Sequence, residues 1–330
     1  MPTPYQTEKE CARQAVVRAA SLCRQVQAEM IHPTSTPKAD RSLVTVADYG
    51  SQAVICQWLA DAFPGDPVVA EETSEGLRRP DQAAMLAGVT RYVQELLPET
   101  ALSDICDWID HGNGDPGPRF WTLDPIDGTT GFLRGEQYAI ALALVVGGQV
   151  QVGALACPSL PATLEQPDSS PRGVVFVAVR GQGAQMLPLD GGPARPVAVS
   201  SLTNPARASL VESVESGHTN HAAHLVLAHA LGITRPALRL DSQAKYGVVA
   251  RGEADIYLRL PSPQAPDYRE RIWDHAAGAL LVEEAGGQVT DALGAALDFG
   301  QGRHLTKNRG VIVSNGQLHP AILNALRQFA

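Results

Sequence analysis

Apolar positions recur at helical spacing between Glu8 and Met30. There Ala12, Val16, Ala19, Leu22 and Val26 mark one face and predict an amphipathic helix. A polar stretch with Pro33, Pro37 and Lys38 to Ser42 reads as a loop. A second helix is expected to begin around Thr45 to Asp48 and end at Phe63, before Pro64-Gly65, and a third to run from Asp81 to Leu97. Between them "DPVVAEE" reads as a short strand leading to a loop. Phe120 to Leu123 is expected to be a strand entering a turn at "DPID". Two hairpins follow, "YAIALALVV" with "QVQVGALACP" around Gly147-Gly148, and "GVVFVAVRGQGAQMLPL" around Gly181 to Gly183.

The stretch from Pro188 to Pro205 reads as a junction between domains or, on its turn signals, as another hairpin. Beyond it "RASLVES", "ADIYLRL" and "GVIVSN" predict strands. Ala222 to Leu231, Ala244 to Ala250, Asp274 to Ala285 and Leu318 to Ala330 predict helices. The second part therefore alternates as an α/β unit does, while the first mixes helices with hairpins in the α+β manner. The expected division is an α+β domain over 1–200 and an α/β domain over 201–330. "SLPATLEQPDSSPR" reads as an exposed loop, and no internal repeat is visible.

Composition narrows the partners. A chain of 330 residues can bury a substantial core, and its net charge of −9 argues against a surface built for nucleic acid or anionic lipid. Five scattered cysteines without a CxxC pair fit reduced thiols rather than disulfides or zinc. No signal-peptide core and no apolar run long enough to span a bilayer are seen, so a cytoplasmic protein without a membrane partner is expected.

Against this ordinary background the stretch "WTLDPIDGTTGFLRG" stands out, because Asp124 and Asp127 flank a proline and are followed at once by a Gly-Thr-Thr-Gly turn. Acids held close repel each other unless a cation lies between them. Pro125 can turn the chain so that Asp124, the Ile126 carbonyl and Asp127 face one point, with a helix opening at Gly128 and Thr129 toward a phosphate. Asp48, Glu71 and Asp274 also stand at breaks between elements. Singly, each has a plainer role: Thr45-x-x-Asp48 is a capping-box pattern, Asp274 a helix N-cap, and Glu71-Glu72 a solvated strand end.

Taken together, "DPIDGT", the upstream "AEE" and the downstream "WDHAAGALLVEEAGG" resemble the lithium-sensitive, magnesium-dependent phosphatases of the inositol monophosphatase superfamily. "KADRSLVTVADYGSQA", "RFWTLDPIDGTTGFLRGEQYAIALAL", "VESVESGH", "LDSQAKYGVVARGEADIYLRLP" and "LDFGQGR" narrow the resemblance to the 3'(2'),5'-bisphosphate nucleotidases, from about Lys38 onward. That resemblance implies a layered αβαβα sandwich of the inositol monophosphatase and fructose-1,6-bisphosphatase type. It implies two or three magnesium ions held by Glu71, Asp124, the Ile126 carbonyl, Asp127 and Asp274. It further implies that Asp48 and Thr129 orient and deprotonate the attacking water, and that Thr129, His218, Ser242, Lys245, Arg259 and Asp274 bind the substrate. The implied reaction removes the 3'-phosphate of 3'-phosphoadenosine 5'-phosphate, with 3'-phosphoadenosine 5'-phosphosulfate as a second substrate and lithium as an inhibitor.

Plainer roles exist for some of these residues too: Lys245 as a solvated helix residue, Arg259 as the outward member of an alternating strand. An inositol mono- or polyphosphate 1-phosphatase and a non-catalytic nucleotide-binding regulator are the alternatives, and the assembly is open between monomer and homodimer. Thr130 departs from the family's usual lysine ("GTTGFL" for "GTKGFL"). The loop "HGNGDPGP" and the Pro-rich insert "LPSPQAPDYRERIWD" are further departures.

Overall fold

The computed structural model describes residues 4–30, 37–214, 220–261, 265 and 267–328, the side chains of 37–44 excepted. Helix α1 (Gln6–Met30) is as expected, and α2 spans Pro37–Ala62. The expected loop over Lys38 to Ser42 is therefore helix. Proline suits the first helical turn, where its missing N–H has no intrahelical partner to lose. Thr45 and Asp48 consequently lie inside α2, and the capping-box role for Asp48 falls away. A 3-10 turn, Pro80–Gln82, leads into α3 (Ala83–Leu96). The sequence reading missed α4 (Leu102–His111), a short helix that buries only Ile105, Cys106 and Ile109.

The first sheet follows chain order: β1 (Val68–Ala70), β2 (Arg119–Asp127), β3 (Ala139–Val146), β4 (Gln149–Pro161), β5 (Arg172–Val179), β6 (Ala184–Pro188) and β7 (Arg195–Val197). The β1–β2 pair is parallel and the others antiparallel. Pairing of β7 with β6 makes part of the Pro188 to Pro205 stretch a hairpin. After the five-residue α5 (Thr129–Leu133), the remaining helices are α6 (His221–Ala230), α7 (Ala244–Ala250), α8 (Ala276–Glu284) and α9 (His319–Arg327). The second sheet contains β8 (Leu210–Glu212), β9 (Leu238–Arg239), β10 (Ile256–Arg259), β11 (Gln288–Thr290) and β12 (Val311–Ser314), in the order β11-β12-β10-β8-β9. The two-residue β9 and three-residue β11 carry too little alternation to be seen in sequence.

Strand alternation sorts side chains into three cores. Ile140, Leu142 and Leu144 of β3 pack with α1 to α4, while Ala139, Ala141 and Ala143 face a middle layer containing α7 and α8. On β12, Val311 and Val313 face that middle layer, and Ile312 joins Leu227 of α6 and Ile322 of α9 beyond the second sheet. The order is helix, sheet, helix, sheet, helix, the αβαβα sandwich anticipated. Among the described residues, no helix is long and apolar enough to cross a membrane.

Candidate active site

The parallel pairing of β1 with β2 sets Ala70 beside Leu123, so Glu71, just past β1, and Asp124, within β2, follow next along neighbouring strands. On a regular strand, residues three apart point to opposite faces. Here β2 pairs Asp124 with Ala141 but Asp127 with Ala139, so three steps on one strand match two on the other. That β-bulge gives β2 one extra residue and lets both acids reach the same cleft. The expected turn at "DPID" is thus a bulged strand. Gly128 follows at φ +87°, where a Cβ would lie 2.9 Å from the Ser242 Cβ, so a side chain there would push the two halves apart.

From the second sheet, the parallel strands β8, β9 and β10 deliver Ser213, Asp241-Ser242 and Arg259 at or just beyond their carboxyl ends. Glu71, Asp124, Ile126, Asp127, Thr129, Ser242, Lys245, Arg259 and Asp274 all line one open cleft of about 200 Å³. Asp48 stands behind it on α2, close enough to Glu71, Glu72 and Asp124 to feel their charge. Of the expected site residues, only His218 lies outside the described residues. The N-cap of α8 is His275, not Asp274, which leaves that carboxylate free for the cleft.

Two backbone clamps place the acids. Ser51 Oγ donates to the Pro125 carbonyl at 2.9 Å. The buried Gln52 side chain accepts from Glu72 N–H at 3.0 Å and donates to the Glu72 carbonyl at 2.7 Å and the Ile109 carbonyl at 2.9 Å. Asp127 Oδ2 accepts the Gln243 N–H at 2.5 Å, tying the bulge to the second sheet's side of the cleft.

The electrostatics are those of crowded acids. Glu71 faces the cleft lumen, yet loss of bulk water around it, with Asp274 and Glu72 nearby, pushes its carboxyl up to about 7. Burial raises Asp274 to about 6, with Asp127 adding to the shift and Arg259 and His275 opposing it. Burial, then Glu71 and Asp127, holds Asp124 well above the usual range, and burial with Glu72 and Glu71 does so for Asp48. Asp124 Oδ1 is buried without a hydrogen-bond partner. Cations line the same cleft. Lys245, almost fully buried, donates to the Leu240 carbonyl at 3.2 Å, and desolvation lowers its ammonium to about 8.

The sequence matches the model of the inositol monophosphatase family over residues 5–329. The chain belongs to that family. Its similar relatives include proteins named 3'(2'),5'-bisphosphate nucleotidase from Oryza sativa, 45% identical over 98% of this chain and 94% of the relative, and from Schizosaccharomyces pombe, 42% identical over 97% and 95%. Similar solved structures include inositol monophosphatases from Zymomonas mobilis (TM-score 0.65, 21% identity, 98% of this chain and 99% of that one) and from Anabaena (TM-score 0.64, 22% identity, 99% and 97%). At those identities the likeness extends to the fold.

Inositol monophosphatase family members depend on a metal ion, typically magnesium. The donor set here fits that requirement: clustered carboxylates with raised proton affinity and an unpartnered oxygen on Asp124 suit a hard cation that prefers oxygen ligands. A second trio, Glu270, Asp274 and His275, places one ligand atom each within 4.8 Å of the others. There Arg259 already supplies the positive charge, 3.0 Å from Glu270 and 3.7 Å from Asp274. The sequence reading passed over Ser51, Gln52, Ser213, Asp241 and Glu270. Ser213, Asp241 and Glu270 lie inside stretches quoted above for the resemblance or as the insert, but nothing in those strings marks the first two as lining the cleft or the third as backing Arg259. The two α2 residues read as ordinary helix positions.

Proposed function

We propose that this protein is a magnesium-dependent phosphatase that hydrolyses the 3'-phosphate of 3'-phosphoadenosine 5'-phosphate, releasing AMP and phosphate, and that it also accepts the corresponding phosphosulfate. The observation that carries this reading is a single cleft lined by both charges. Crowded carboxylates with raised proton affinity share it with the cations Lys245 and Arg259. A substrate with two separated phosphates can use the acids through a bound cation and the two basic side chains directly, and the names of the 42–45% identical relatives agree with it.

Glu71, Asp124, Asp127, Asp274 and the Ile126 carbonyl would hold the ions. Such ions, when bound, polarise a phosphoryl oxygen and make water a better nucleophile at neutral pH. Asp48 then takes the proton from the attacking water, a task suited to a carboxylate whose proton affinity is already raised. Thr129 Oγ1, now 3.4 Å from the Ile126 carbonyl, orients that water. Lys245, Arg259 and Ser242 hold the second phosphate, and Lys245 and Arg259 pay for its charge with their own. The α+β part over 1–200 would thus carry most metal ligands, and 201–330 the nucleotide-binding residues and the last ligand.

Phosphate release from 3'-phosphoadenosine 5'-phosphate, with and without magnesium, tests the reading against inositol 1-phosphate as competitor. The expected result is magnesium-dependent turnover with a kcat/KM at least about 100-fold above that for inositol 1-phosphate, the discrimination expected when two buried cations lose their phosphate partner. Preference for inositol 1-phosphate, or turnover unaffected by chelation, would overturn it.

A further inference from the structure

Asp274 and Arg259 share the cleft, yet a ligand carboxylate and a guanidinium so close would ordinarily close into an ion pair and use up both. Here the pair stays long: Arg259 Nη2 is 3.7 Å from Asp274 Oδ2, while Arg259 Nε lies closer, 3.0 Å, to Glu270 Oε2. Glu270 is itself buried and fixed from behind: its Oε2 lies 3.2 Å from His275 Nε2, and His275 Nδ1 lies 2.7 Å from the Tyr246 hydroxyl. A His275 ring carrying its proton on Nε2 donates to Glu270 and accepts from Tyr246, so both ring nitrogens are satisfied. Both Tyr246 and His275 are fully buried, which denies the relay alternative partners.

We infer that Glu270 is a positioning residue that holds the Arg259 guanidinium away from Asp274, with His275 and Tyr246 locking Glu270 in place. The inference rests on the reading of Asp274 as a magnesium ligand. Its physical content is a competition. Asp274 can be neutralised by the guanidinium or by a cation in the cleft, and Glu270 biases the guanidinium away. Glu270 reaches this position from the stretch between β10 and α8, behind the cleft.

Magnesium titrated calorimetrically into metal-free protein provides a readout that does not depend on turnover. Glu270→Gln is expected to weaken magnesium binding by about 5- to 20-fold, the range in which loss of a ligand's supporting partner falls. Glu270→Gln combined with Arg259→Gln is expected to return binding to within about twofold of the parent, because the competitor is gone. Tyr246→Phe, a milder change that frees His275 to rotate, is expected to weaken binding in the same direction by a smaller factor. Parent-like binding by Glu270→Gln, or a double variant as weak as the single, overturns the inference and leaves the metal reading standing. Should Glu270→Gln not fold, parent-like binding by Tyr246→Phe overturns it equally. Failure of the parent protein to bind magnesium removes the metal reading and this inference together.

Discussion

Asp124 sits where a carboxylate is least comfortable, buried, next to Glu71, Asp127, Asp274 and Asp48, and with one oxygen unpartnered. Such a residue lowers the stability of the metal-free protein and is tolerated where function requires it. Asp124→Asn keeps the shape and removes the charge, so two opposite effects are expected. Magnesium-dependent phosphate release should fall by at least about 100-fold, since several kcal/mol of transition-state stabilisation pass through the metal cluster. The melting temperature of the metal-free protein should hold or rise by a few degrees, at about 2–4 °C per kcal/mol. Undiminished turnover, or a marked loss of metal-free stability, would count against this account of Asp124. Lys245 makes a second residue-scale case. Its ammonium is lowered to about 8 by burial, so it is charged below that pH and neutral above. KM for the bisphosphate should therefore climb as pH passes about 8, and Lys245→Met should raise KM at pH 7 by about 10- to 100-fold and flatten that climb; a flat profile in the parent protein would remove Lys245 from the second phosphate site. Asp48, Glu71, Asp124, Asp127 and Asp274 were legible as candidates only together and through the resemblance, since each alone had a plainer reading and Asp48 lies within α2 rather than at a break. Glu270 was not. Its role arises only where Arg259, His275 and Tyr246 meet in the fold.

At the scale of elements, α2 behaves as a jig for the site. One turn presents Asp48 toward the acids, and Ser51 and Gln52, one turn further on, grip the backbone of both acid-bearing segments, Ser51 at Pro125 and Gln52 at Glu72. Replacing Gln52 by leucine would leave the Glu72 N–H and carbonyl and the Ile109 carbonyl without their side-chain partner in a water-poor setting. Unfolding in urea should then show a loss of about 2–4 kcal/mol, larger than the roughly 1 kcal/mol expected for Ser51→Ala. Equal losses for the two variants would reject the clamp. The long elements were readable because their pattern repeats: α1 over 25 residues, and the β3–β4 and β5–β6 hairpins through alternation bounded by glycine turns. What escaped was set by tertiary contact or by brevity. Pro37 starts a helix although prolines around it suggested a loop, α4 buries only three side chains, and β9 and β11 exist through pairing with longer strands. The bulge in β2 is the most consequential of these, since sequence supplied the two acids and a proline but pairing with β3 decides which way they point.

For the molecule as a whole, the acids couple stability to pH and to metal. Stability changes with pH in proportion to the protons bound by the unfolded chain minus those bound by the native one. Glu71 ordinarily titrates near 4.5 but is raised to about 7 in the fold, and Asp274 goes from 3.8 to about 6. Between those values the native protein holds protons that the unfolded chain has released, so the difference is negative and metal-free stability falls as pH rises from about 4 to about 7. Burial with neighbouring acids moves Asp124 and Asp48 in the same direction, and burial moves Glu72 so too. On the proposed reading, magnesium would have to displace these protons to bind, so it is expected to bind weakly at pH 5 and strongly once the carboxylates are ionised. Thermal unfolding in chelator and in saturating magnesium should therefore give nearly coincident midpoints at pH 5 that separate as pH approaches 7.5. At magnesium about 100-fold above its dissociation constant the gain is about 2.7 kcal/mol, which for a chain of this size corresponds to a separation of roughly 5 °C. A separation that stays constant between pH 5 and 7.5 would mean that the protons and the cation do not compete for the same oxygens. The acids of the cleft would then have to be ionised without cost in the metal-free fold, which their burial beside one another forbids.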